Sequence, residues 1–173
     1  MITYAPATPD TLELHWNTEI AENLGDARYI AWKQDYMHEN ASGKYKTFYA
    51  FDDAKIIGQV TLVLHPDTME LDGQTELANN DDIAHICGLR VYKEYEGKSI
   101  ASGLMRYIYN WARGHGIRYM TIGVEPHETR NVEIYTHWGF AEFVKEVIEK
   151  YPPRNENDSG EEVLVHYYKK KIQ

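Results

Sequence analysis

One cysteine in 173 residues, Cys87, has nothing to pair with. That excludes an intramolecular disulfide and a cysteine-built zinc site, and makes a reducing cytoplasm the simplest home. Cations are scarce as well: 18 Lys and Arg stand against 27 Asp and Glu, a net charge of -9. Nucleic-acid backbones are met by clustered Lys and Arg, so no nucleic-acid partner is expected. A phosphate-rich ligand would have to rely on backbone N–H groups and a few local cations, while an acidic body suits a cationic partner. Long apolar runs are missing too. None approaches the ~18 residues of a membrane span, and the opening MITYAPATPD lacks the basic-then-apolar order of a signal peptide. No membrane association is expected. No internal repeat or interdomain linker interrupts the chain, whose length fits one domain over residues 1–173.

Hydrophobic periodicity supplies the elements. Thr8-Pro9-Asp10 caps a helix in which Leu12, Trp16, Ile20 and Leu24 recur every four residues, until Gly25 stops it. A second helix runs from about Asp26 to Asn40, with Ala27, Ile30, Ala31 and Gln34 on one face and an aromatic stripe of Tyr29, Trp32 and Tyr36 beside it. Strand-like segments at Tyr45–Phe51 and Lys55–His65 flank the turn Asp52-Asp53-Ala54, which reads as a hairpin. The following PDTMELDGQTELANNDD is acidic, without Lys or Arg. Its Asp72-Gly73 invites a calcium-loop reading, but setting Gly73 at the sixth position puts Thr68 first and Asn79 last, where Asp and Glu are needed. No metal is expected, and the segment reads as a solvated loop. A strand at Ile83–Tyr92, a helix from Ser99, a strand IRYMTIGV, a short helix TRNVEIYTHW and a closing pair of strands complete an α/β chain with one mixed sheet.

The segment EYEGKSIASGLM joins the Ile83–Tyr92 strand to its helix. Gly97-Lys98-Ser99 matches the end of a nucleotide P-loop, but that loop needs a glycine at position 92, and a bulky tyrosine stands there. The dinucleotide spacing G-x-G-x-x-G fails as well, because Gly97 and Gly103 do not fit it.

The run LRVYKEYEGKSIASGLM instead resembles the acetyl-CoA loop of the GNAT superfamily of N-acetyltransferases, an L-x-V strand end followed by [Q/R]-x-x-G-x-[G/A] opening a helix. Leu89-Arg90-Val91 is the strand end, and Glu96, Gly97, Lys98, Ser99, Ile100 and Ala101 form the loop, with Ser102 following. Glu96 departs from Gln or Arg, and Lys98 is the nearest cation to offset it. Ser99 replaces a glycine, which requires its φ to stay negative. Further on, RNVEIYTHWGF is similar to the family's short helix ending in Tyr-x-x-x-Gly-Phe, with Tyr135, Gly139 and Phe140 on the motif. Asn131 lies one turn before Tyr135, within reach of a pantetheine arm.

The resemblance implies the GNAT acyl-CoA N-acyltransferase fold: a central mixed β-sheet flanked by helices, in the order strand, two helices, three strands, helix, strand, helix, two strands. It implies acetyl-CoA as acetyl donor and a small-molecule or peptide amine as acceptor, joined directly in a ternary complex. The helix start would bind the pyrophosphate, and main-chain groups near Leu89 and Val91 the pantetheine arm. Tyr135 would protonate the leaving thiolate, with Glu125 as the base, and His85 or Asp82 as alternatives. Cys87 has no neighbouring motif to support a covalent route. Trp32, Asp35 and Tyr36, with Glu39 and the acidic NENDSGEE segment, would face the acceptor. A longer acyl group, or a non-catalytic acyl-CoA sensor, stays open, and a homodimer is common in the family.

Overall fold

A computed structural model describes Met1–Gln173. Seven strands form one mixed sheet, in the order β1 (Ile2–Pro6), β2 (Tyr45–Asp52), β3 (Lys55–Val63), β4 (Ile83–Val91), β5 (Tyr119–Val124), β7 (Glu161–Lys171) and β6 (Glu142–Tyr151). Only β4 and β5 run parallel, joined through α3 (Ile100–Gly114); all other neighbours are antiparallel. The remaining helices are α1 (Pro9–Glu22), α2 (Arg28–Ser42) and α4 (Thr129–His137). The element order is the one the family resemblance implies.

The two faces of the sheet are covered differently. On one, α3 buries Ile100, Leu104, Met105, Ile108 and Ala112 against Phe48, Ile57, Ala84, Ile86, Met120 and Ile122. These helix residues recur at helical spacing and the strand residues alternate, so each element presents one apolar face. Full burial of each such aliphatic chain contributes roughly 1.5–3 kcal/mol. Gly103 sets the contact distance between α3 and β1, because a Cβ there would lie 1.9 Å from the Tyr4 hydroxyl oxygen.

On the opposite face, α1, α2 and the 64–82 connection pack over β2, β3 and β4. The capping box of Thr8 and Thr11 starts α1 as the sequence requires. Its buried stripe is Leu12, His15, Trp16 and Glu19, while Leu24 lies beyond the helix end and is 85% exposed. The four-residue spacing therefore overran by one member, and a carboxylate takes an inward place. On helix α2 the aromatic stripe is the side that packs. Ile30, Ala31 and Gln34 are exposed, whereas Tyr29, Trp32 and Tyr36 are half-buried. Aromatic rings, with more area to bury, outcompete the smaller residues. The 64–82 connection is also more than a solvated loop: Leu71, Leu77 and Ala78 are fully buried beside Tyr45, Val163, Val165 and Tyr167.

Candidate active site

The parallel pair β4–β5 is registered only from Ile83↔Tyr119 to Ile86↔Ile122. Beyond this the strands part, and the edge of β4 that faced β5 is free from Cys87 onward. A bulge helps to re-aim the strand. Between Thr61↔Cys87 and Gln59↔Arg90, β3 advances two residues while β4 advances three. Gly88, at φ +60, takes up the extra residue, and a Cβ there would approach the Tyr36 hydroxyl to 2.9 Å.

A short 3-10 turn, Lys93–Tyr95, carries the chain from β4 to α3. The Tyr95 hydroxyl donates to Asp52 at 3.2 Å. Main-chain bonding in α3 begins at Gly103, whose N–H donates to the Ser99 carbonyl at 3.0 Å. The N–H groups of Ile100, Ala101 and Ser102 have no carbonyl behind them. They converge at the positive end of a 15-residue helix, a ready anion site. Gly97 has φ +74. Ser99 has φ +61 and ψ +19, against the requirement that its φ stay negative. The turn into the helix imposes the left-handed conformation there, at a cost of about 1–2 kcal/mol for a residue with a Cβ. Lys98 does not pair with Glu96; its ammonium lies 4.7 Å from the Tyr95 ring centroid. Glu96 is exposed.

Tyr135, on α4, packs against the α3-side core. Its ring centroid is 5.9 Å from that of Trp138. Burial, and then the Glu128 carboxylate, push the phenol above its ordinary pKa. Asn131 donates to Glu128 at 3.2 Å. Glu125 follows the last residue of β5, its side chain 31% exposed and 3.3 Å from His127 Nε2. Its carboxylate helps to raise the pKa of Glu149.

On the α1–α2 side of the sheet, beside the bulged end of β4, lies a cleft of about 840 Å³. Helices α1 and α2, the bulge in β4, residues 69–74 and the end of β6 enclose it. Ala27 N–H donates to the Arg154 carbonyl at 2.9 Å, tying the β6–β7 connection to the start of α2. Trp32, Asp35 and Tyr36 all line this cleft, as does Arg90. Glu39 does not: it is 7% exposed, with its carboxylate accepting from the Ser42 hydroxyl. The cleft's acidic wall comes instead from Glu19, Glu70, Asp72 and Glu149 beside Asp35. Glu70 and Asp72 belong to the acidic segment read above as solvated, and Glu149 to a strand, so residue type alone marked none of them. Glu19 did leave a signal, a carboxylate one turn after Trp16 on the inward face of α1.

Other groups are accounted for by packing. Thr121 donates to the Leu77 carbonyl at 2.8 Å, so His85 Nδ1–H donates to Thr121 at 2.9 Å, and burial lowers the His85 pKa to about 3. Asp82 sits at the opposite end of β4, bonded to Asn79 and Arg118. Burial, then the Glu70 carboxylate, hold the Cys87 thiol well above its usual range, the reverse of what a thiolate nucleophile needs.

A mixed sheet that parts between its two parallel strands, followed by a helix start with bare amides, defines an acyl-CoA N-acyltransferase fold. The chain belongs to the acetyltransferase (GNAT) family, whose model matches residues 9–140. Among solved structures, NAA60 from Arabidopsis thaliana in complex with acetyl-CoA is similar over 99% of both chains, at 18% identity and a TM-score of 0.70. The spermidine/spermine N-acetyltransferase SpeG from Vibrio cholerae is similar at 15% identity and a TM-score of 0.68, over 99% of this chain and 95% of that one. The ribosomal-protein-S18-alanine N-acetyltransferase from Escherichia coli is similar over 100% of this chain and 95% of that one, at 13% identity and a TM-score of 0.65. No curated protein matches the sequence.

Proposed function

We propose that the protein is an N-acetyltransferase that moves the acetyl group of acetyl-CoA to a primary amine within a ternary complex. The observation that carries this reading is the set of unpartnered amides of Ile100, Ala101 and Ser102, placed just past the point where β4 and β5 part. In this reading those N–H groups, with Gly97 and Ser99 shaping the approach, hold the pyrophosphate. The free edge of β4 at Leu89–Val91 holds the pantetheine arm as an added strand would, and Asn131 lies alongside it. Acetyl-CoA supplies the activated thioester.

Three proton and charge movements then fall to the chain. A main-chain N–H in Cys87–Val91 faces the negative charge that grows on the thioester oxygen. Glu125, reached directly or through water, takes the proton of the incoming amine. Tyr135 gives its proton to the departing thiolate, and its raised pKa keeps it protonated at neutral pH. The cleft beside Trp32, Asp35 and Tyr36 receives the acceptor.

The test is calorimetric titration of acetyl-CoA, free CoA and ATP into the protein. Binding of both CoA species without ATP is the expected result, followed by thiol release on adding amines. Absence of CoA binding would overturn the cradle assignment, and with it this function.

A further inference from the structure

The cleft's cations are already spent. Arg28 pairs with Asp26 at 2.7 Å, Arg90 with Glu19 at 2.6 Å, and Lys150 with Glu162 at 3.3 Å. Asp26 and Glu162 lie outside the cleft lining, and Glu19 is its one acid with a cation. Four further carboxylates, Asp35, Glu70, Asp72 and Glu149, line the same space with no cationic partner. Tyrosine hydroxyls partly satisfy two of them: Tyr45 donates to Asp35 at 3.0 Å, and Tyr151 and Tyr167 donate to Glu149. Glu70 makes no such bond, and it remains open to the solvent of the cleft.

A second, independent observation comes from buried side chains on the cleft wall. His15 is 3% exposed, Trp16 5% and Gln59 8%, yet His15 Nε2, Trp16 Nε1 and Gln59 Oε1 have no hydrogen-bond partner. Tyr92 donates its one proton to Glu19, so His15 presents Nδ1–H to the Tyr92 oxygen and leaves Nε2 as a bare acceptor. Unpaired buried polar atoms cost free energy, and these three belong to side chains that line the cleft.

We infer that the acceptor carries at least two cationic nitrogens, a linear diamine or polyamine, with its non-reacting ammonium held by Glu70 between Asp35 and Glu149. The inference rests on the function proposed above and names the acceptor class for that site. A polyamine chain is made of methylenes and N–H donors. It matches a lining rich in carboxylates that also includes Trp32 and Tyr36, and it brings no carbonyls. A peptide carries a carbonyl for nearly every amide and would need several donors along the cleft, where Arg28, Arg90 and Lys150 are already engaged and Trp16 Nε1–H is the one unpaired buried donor. Crowding by protein, then the Glu149 and Asp35 carboxylates, raise Glu70 to about 7. A bound ammonium would bring it down again, so binding near pH 6.5 should release a proton.

The test is calorimetric titration, with free CoA present, of spermidine, 1,4-diaminobutane, butylamine and a tripeptide with a free N-terminus. The two polyamines should bind the wild type about ten- to a hundred-fold more tightly than butylamine, and Glu70→Gln should remove most of that difference. Glu70 is exposed, so the variant is expected to fold, and CoA binding serves as its control. CoA binding with equal affinity for spermidine and butylamine would overturn the inference and leave the acetyltransferase reading intact. So would tighter binding of the tripeptide than of either polyamine. Failure of CoA itself to bind would remove the function and the acceptor assignment together, even if spermidine bound.

Discussion

The proposed cofactor cradle and the proposed acceptor cleft lie on opposite faces of the sheet, and they are built from different material. The cradle is main chain: three bare amides, two left-handed residues and a helix dipole within Gly97–Ser102. Its side chains contribute little, since Lys98 rests on Tyr95 and Glu96 points to solvent. The cleft is side chain, drawn from α1, α2, β3, β4, β6 and a loop, and it is crowded with carboxylates. A main-chain site tolerates change in residue identity so long as the backbone path survives. A side-chain site is sensitive to single atoms and to pH.

Tyr135 belongs to neither region, and removing its hydroxyl is the sharpest way to separate them. Tyr135→Phe should lower kcat by about 10²–10⁴-fold while acetyl-CoA affinity stays unchanged. Stopped assays of thiol release beside calorimetry would show the split. Unchanged turnover would remove Tyr135 from the acid role.

Acid should strike the cleft's face of the sheet before the cradle. Burial lowers His15 to about 4 and His85 to about 3, both well below the unfolded value near 6.5. Each therefore contributes stability that is fully present above pH 6.5 and is lost as pH falls toward its folded value, because the unfolded state takes up the proton first. Glu70, raised from 4.5 to about 7, acts in the opposite sense: its contribution is lost as pH rises through 7. Glu149 and Asp35, also raised by burial, act in the same sense as Glu70, but none of the three side chains is as deeply buried as the two imidazoles, so Tm should fall as pH is lowered from 6.5 to 4.5. A flat Tm would show that the two rings are not desolvated.

The smallest change tests the claim that the cradle is backbone alone. Ser99→Gly relieves the left-handed strain and should raise stability by about 1 kcal/mol. Acetyl-CoA affinity should stay equal or improve slightly. Loss of binding on this substitution would mean that the Ser99 hydroxyl, and not only its amide, touches the cofactor. Chemical denaturation and calorimetry on the same sample measure both.

The strand-turn-helix of the proposed cradle was legible because it is contiguous. Leu89-Arg90-Val91 through Ser102 sit within one strand-turn-helix, and a helix start binds anions wherever it occurs. Trp32, Asp35 and Tyr36 were reached by a longer route, from the aromatic stripe of α2, which turned inward although smaller apolar residues lay beside it. Glu70 and Glu149 were not legible. One lies in an acidic run that looks like any solvated segment, the other in a strand of alternating charge, and 79 residues separate them.

What the sequence determined by itself was local: the capping box of α1, the buried stripe of α3, the β2–β3 hairpin and the bare amides at the start of α3. Each depends on residues a few positions apart, where backbone sterics and hydrophobic periodicity are sufficient. Tertiary structure decided where the strands part, which face of α2 points inward, and which carboxylates meet across the cleft. Those outcomes depend on competition among distant surfaces for burial, and on charges that acquire their meaning only when folding brings them together.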